Sequence, residues 1–96
     1  MDDMTPQELS QKARQLVAEG AVLLDVRTPD EFRQGHPEPA RNIPVQELAR
    51  RLSEVGPPGT RVVVYCAAGG RSAVAADLLR RTGYPDVFDL QSVRNW

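Results

Sequence analysis

The run Val62-Val63-Val64-Tyr65 offers no charged or amide side chain to either face of the strand it predicts. A strand apolar on both faces belongs inside a parallel sheet covered by helices on both sides. It constrains the fold more than any other segment does, and its neighbours agree with it. "AVLLDV", Ala21 to Val26, is a second short apolar run, and "DVFDL" near the end is a third. "NIP" reads as a brief strand between them.

Helix signals alternate with these runs. Thr5-Pro6-Gln7-Glu8 and Thr28-Pro29-Asp30-Glu31 each place a capping threonine, a proline suited to the first turn and a glutamate that closes a capping box. Leu9, Ala13, Leu16 and Val17 then hold helical spacing up to Gly20. The second helix must be short, because Gly35, Pro37 and Pro39 follow closely. "VQELARRLSEV" predicts a helix with Val45, Leu48, Ala49 and Leu52 on one face. "SAVAADLLRRTG" predicts the strongest helix, closed by Gly83. The expected fold is a single α/β domain over residues 1–96, with a mainly parallel central sheet and helices on both faces. A chain of this length buries about 60–70% of its unfolded surface, enough for one core.

In such sheets ligands bind beyond the carboxyl ends of the strands. Two polar segments stand there, "DVRTPDEF" and "CAAGGRS". The second holds the only cysteine, Cys66. A glycine-rich turn and the start of the next helix turn backbone N–H groups and a helix dipole toward it. That is a cradle for an anion, and it stabilises a thiolate at its lip. Arg71 supplies a positive charge in the same loop. The plain alternative is a small buried hydrophobe at a strand end.

Other glycine-loop chemistries fit poorly. A nucleotide P-loop needs a glycine where Tyr65 stands and a lysine where Arg71 stands, and a dinucleotide loop needs three spaced glycines. No second cysteine is present for a dithiol, and His36 with one cysteine is a poor zinc set. A formal net charge of −1 argues against nucleic acid or an anionic membrane as partner. The acidic, polar N-terminus and single cysteine make the cytoplasm the expected compartment.

At this point the chain resembles the single-domain rhodaneses, the persulfide-forming sulfurtransferases. "CAAGGRS" is similar to their active-site loop, "LLDVRTPDEFRQGHPEPARNIP" to their upstream signature, and "GYPDVFDLQSVRNW" to their closing strand and tryptophan. The resemblance runs in order from about Thr5 through nearly the whole chain. It implies that Cys66 takes a sulfane sulfur from thiosulfate or a persulfide donor. A thiophilic acceptor, cyanide or a thiol, then removes it. It implies Ala67, Ala68, Gly69, Gly70, Arg71 and Ser72 as the substrate-binding loop, with no metal or organic cofactor. Asp25 and Arg27 become site-supporting residues, with a purely structural ion pair as the alternative. His36 reads as structural, and Ser72 either caps the following helix or donates to the persulfide.

Phosphatases of the same fold have five residues between cysteine and arginine. This loop has four, the spacing of the sulfur-transferring members. The other reading is a persulfide-carrying or protein-binding module of the same fold, with a sulfur-accepting protein as partner and without efficient turnover on small donors. Three positions depart from the family pattern: Pro39 stands where glycine is usual, and Gln91-Ser92 where a Gly-Gly pair is common.

Overall fold

The computed structural model describes residues 3–96. Four strands, β1 (Val22–Asp25), β2 (Arg41–Asn42), β3 (Val62–Cys66) and β4 (Val87–Ser92), form one sheet in the order β2-β1-β3-β4. Every pairing is parallel. Three α-helices accompany them: α1 (Pro6–Ala18), α2 (Pro29–Gln34) and α3 (Gly70–Arg81). No helix among the described residues is long and apolar enough to cross a membrane.

The two-faced apolar run behaves as its composition requires. All five residues of β3 are buried. Val62, Val64 and Cys66 point into a core with Leu24, Ile43, Leu48, Ala75, Ala76 and Leu79. Val63 and Tyr65 point the other way, into a core with Leu9, Ala13, Leu23 and Leu90. The strand's period of two thus divides one apolar run between two helix layers.

Both capping boxes form. Thr5 and Glu8 exchange bonds of 2.8 and 3.1 Å, and Thr28 and Glu31 exchange bonds of 2.9 and 3.2 Å. Pro39 sits in a turn closed by Ala40 N–H donating to Pro37 O at 3.0 Å, so its missing N–H leaves no gap in that turn.

One expected helix is not formed. Residues of "VQELARRLSEV" make two 3₁₀ segments, Val45–Arg50 and Leu52–Glu54. The bonds are the short i→i+3 kind, such as Arg51 N–H to Leu48 O at 3.0 Å and Val55 N–H to Leu52 O at 3.0 Å. The position before the first segment is Pro44, which has no side chain to cap a start. Arg51 leaves helical geometry between the segments and binds Glu47 and Glu54 at 2.8 Å each. Leu48 is fully buried as expected, but Ala49 faces solvent.

Strand β4 runs further than "DVFDL" predicts, through Gln91 and Ser92. Its register against β3 shifts by one residue: Val64 faces Asp89, but Tyr65 faces Gln91. Leu90 is the extra residue of a β-bulge. Gln91 takes φ = +74°, the one left-handed non-glycine residue among those described.

Candidate active site

Strand β3 ends at Cys66, and the chain turns at once into α3. The turn works because Gly69, the residue capping α3, takes φ = +109°. That left-handed conformation is nearly free for glycine and costly for other residues. A Cβ there would meet Gln91 Cβ at an ordinary 3.6 Å, so the backbone angle, not space, calls for glycine. Gly70 has an ordinary φ and open space where a Cβ would stand.

The turn brings backbone donors to the sulfur. Gly69 N–H donates to Cys66 Sγ at 3.0 Å and Ser72 N–H at 3.3 Å. Burial pushes the thiol pKa up, but N–H donation from Ser72, Gly69 and Ala68, together with the Ser72 hydroxyl, outweighs it. The net effect is a pKa below the ordinary thiol value. Cys66 itself is only 1% exposed, so the sulfur lies at the floor of the loop.

The loop is held from outside by β4. The buried Ser72 hydroxyl lies 3.1 Å from Gly69 O and 3.3 Å from Gln91 O. The Ser92 hydroxyl donates to Ala67 O at 2.6 Å. Gln91 and Ser92 therefore brace both ends of the cysteine turn. Ser72 does not cap α3, whose cap is Gly69. Its backbone N–H faces the sulfur from the helix's third residue.

Arg71 stands at the second residue of α3, but its charge is not left alone beside the thiol. Its Nη1 donates to Glu31 Oε1 at 2.7 Å and its Nη2 to Glu31 Oε2 at 3.0 Å. The paired guanidinium holds the Glu31 carboxyl down to about 2, and the Thr28 backbone bond assists. In return, Glu31 raises the Arg71 pKa, with a lesser push from the Cys66 thiolate. Glu31 closes the capping box of α2 and reaches the cysteine loop with the same carboxylate.

Asp25 and Arg27 form a separate buried unit. Arg27 donates to the Asp25 carboxylate through its backbone N–H at 2.9 Å and through Nη2 at 2.6 Å. Arg27 Nε–H also donates to both carboxylate oxygens, at 3.1 and 3.0 Å, and Tyr65 O–H adds a fourth donor at 2.7 Å. Arg27 Nη2 also reaches Gly35 O at 2.8 Å, and the Asn42 amide donates to the carbonyls of Asp25 and Arg27 at 3.0 Å each. Burial and the Asp25 bond push the Tyr65 phenol pKa well up, so the hydroxyl stays a donor. These bonds fix the ends of β1 and β3 and the start of the α2 loop. No bond joins Asp25 or Arg27 to Cys66.

His36 lies apart from the sulfur's partners. Its Nδ1–H donates to Phe32 O at 2.7 Å, and its ring stacks on Phe32 at 3.5 Å between centroids. Among the described residues no group of three His, Cys, Asp or Glu side chains could hold a metal ion. A cleft lined by Met4, Arg80, Phe88, Asp89 and Gln91 follows β4 and contains no residue of the cysteine loop.

Sequence reasoning did not single out Glu31, Tyr65, Gln91 or Ser92 as members of the site. Glu31 carried a visible signal, the capping box, but that signal accounts for only one of its roles.

The chain is similar to known proteins in sequence and in fold. The family model described as "Rhodanese-like domain" matches residues 5–96. A protein of Allochromatium vinosum named "Sulfurtransferase" is 34% identical over 91 residues, 95% of this chain and 82% of its own. The Escherichia coli protein named "Thiosulfate sulfurtransferase PspE" is 38% identical over 65 residues, 67% of this chain and 62% of its own. A solved structure titled "rhodanese with anions from E. coli" superposes with a TM-score of 0.75 at 32% identity, covering 80% of this chain and 92% of that one. The chain spans about half, 56% and 55%, of the length of other curated relatives from Bacillus subtilis and Schizosaccharomyces pombe.

Proposed function

The chain belongs to the rhodanese-like domain family, and from that premise we propose that it transfers sulfane sulfur through a persulfide on Cys66. One observation carries this reading. The only thiol of the chain accepts two backbone N–H bonds, at 3.0 and 3.3 Å, inside a four-residue turn onto a helix. Such donors stabilise a thiolate before reaction and an anionic persulfide after it, without a proton-transferring base.

With thiosulfate as donor, the Cys66 thiolate attacks the outer sulfur. The S–S bond breaks, sulfite leaves with the bonding pair, and the persulfide anion stays in the cradle. Cyanide or a thiolate acceptor then attacks the outer sulfur of the persulfide and returns the Cys66 thiolate. Ala67, Ala68, Gly69, Gly70, Arg71 and Ser72 form the wall past which both partners approach. Asp25 and Arg27 keep that wall in place through the strand ends. The cytoplasm is the proposed compartment.

The test is thiocyanate production from thiosulfate and cyanide, with Cys66→Ser as control. Steady turnover in the wild type and none in the variant support the enzyme. One equivalent of sulfur taken up and held against excess cyanide would instead identify a persulfide carrier. Equal turnover in the variant would refute the role of Cys66.

A further inference from the structure

The loop Cys66–Ser72 contains one cationic side chain, Arg71. Each of its terminal nitrogens gives one N–H to one oxygen of Glu31, in a two-bond fork that sets a carboxylate charge against the guanidinium charge. Such parallel pairs are the most geometrically specific ion pairs that arginine makes. The remaining loop side chains between Cys66 and Arg71 are two alanines and two glycines, which carry no charge. Arg27 is occupied as well, by Asp25 and Gly35 O. A donor reaching the sulfur therefore meets backbone N–H groups, while the loop's own cation is neutralised.

We propose that Glu31 determines donor specificity by holding Arg71 away from the anionic group of the donor. This rests on the sulfur-transfer reading above. Thiosulfate carries its sulfonate directly on the transferred sulfur, so it needs a cation at the loop mouth. A low-molecular-weight thiol persulfide, RS–SH, carries any charge elsewhere in R and needs none. With that donor the Cys66 thiolate attacks the outer sulfur, and the S–S bond breaks. RS⁻ leaves with the bonding pair and takes up the proton given up by the new persulfide. The paired Glu31 thus turns the site toward thiol persulfides and away from thiosulfate.

Glu31 is a positioning residue, because it acts through Arg71. Glu31→Gln tests it and suits the fold, since glutamine also closes a capping box with Thr28. The readout is the loading rate of sulfur onto Cys66, followed by intact mass, with thiosulfate and with cysteine persulfide as donors. In low salt, Glu31→Gln should raise the thiosulfate rate constant about fivefold, the scale of one partly exposed charge contact. The cysteine persulfide rate should stay within about twofold. The double variant Glu31→Gln/Arg71→Ala should lose the gain, because no cation remains to be released. Glu31→Asp keeps the charge but is one methylene shorter. It should show a smaller gain in the same direction, and it keeps the test open if the glutamine variant folds poorly.

An unchanged donor ratio in the single variants would overturn the proposal. So would a gain that survives in the double variant, since removal of negative charge alone would then explain it. Failure of Cys66 to load from either donor in any variant is a different result, and it would refute the sulfur-transfer reading itself.

Discussion

Glu31 and Arg71, 40 residues apart in sequence, meet through two parallel bonds of 2.7 and 3.0 Å. The pair ties the first turn of α2 to the first turn of α3 and so links the two polar segments beyond the sheet. Its energetic weight depends on pH with a definite sign. The Glu31 pKa falls from its ordinary value to about 2 in the folded chain. A carboxyl depressed on folding adds stability that is complete above its unfolded value, about 4.3, and is lost as pH falls through the folded value. Both side chains are about one-third exposed, so solvent screening reduces the effect. Denaturant unfolding from pH 5 to pH 2 should show a steeper loss for wild type than for Glu31→Gln. Parallel curves would show that the pair adds nothing to folding.

The thiol should titrate below a free cysteine, whose pKa is about 8.5. Burial opposes this, and the donors from Ser72, Gly69 and Ala68 prevail. Alkylation by a small reagent, followed against pH, should give a midpoint below that of a cysteine peptide. The linked stability has the sign of a depressed acid. It is complete above the unfolded pKa and falls away as pH drops through the folded one. Wild type should therefore gain stability relative to Cys66→Ser as pH rises from 7 to 9. A midpoint at or above that of the peptide would contradict the cradle.

Two left-handed residues face each other across the loop, and they predict opposite effects. Gly69 at φ = +109° meets Gln91 Cβ at 3.6 Å from where its own Cβ would be. Gly69→Ala should destabilise by about 1–2 kcal/mol, the cost of a side chain in that backbone region. Gly70→Ala, at an ordinary φ with open space, should be neutral or slightly stabilising. Gln91→Gly should gain up to about 1 kcal/mol, because glycine relieves φ = +74° at the bulge. Thermal unfolding of the three variants checks the order, and equal costs at positions 69 and 70 would contradict it.

Tyr65→Phe removes one of the donors to the fully buried Asp25 carboxylate. Arg27 still neutralises the charge, so the expected cost is that of one buried bond to a charged group, about 1.5–3 kcal/mol. The pH midpoint of Cys66 alkylation should not move, because no bond from this network reaches the sulfur. A large shift in that midpoint would give the network a direct role in the thiolate.

The parts of the fold written in short stretches of chain were readable from sequence. Thr5-Pro6 with Glu8 and Thr28-Pro29 with Glu31 start helices through contacts three residues long. The β-branched apolar run at β3 was the strongest strand signal in the chain, and all five of its residues are buried. The cysteine loop was readable for the same reason, since the Sγ partners lie three and six residues ahead of it. The segment Val45–Glu54 was misread because Leu48 and Leu52 hold helical spacing. The uncapped Pro44 start and the Arg51 break, which decide between α and 3₁₀ turns, leave no periodic trace. The remaining members of the site were hidden by distance along the chain. Ser92 and Gln91 contact Ala67 and Ser72 across 25 and 19 residues, and Glu31 reaches Arg71 across 40. The resemblance to rhodaneses marked Gln91-Ser92 only as a departure, whereas in the fold these two residues brace the loop.

The most direct test of the central claim is the intact mass of the protein after brief exposure to a sulfane sulfur donor and removal of excess reagent. Wild type should gain the mass of one sulfur atom, localised by peptide mapping to Cys66, and cyanide should remove it as thiocyanate. Cys66→Ser should gain nothing. A wild-type protein that takes up no sulfur from thiosulfate or from cysteine persulfide, or a Cys66→Ser variant that takes it up equally, would contradict the claim.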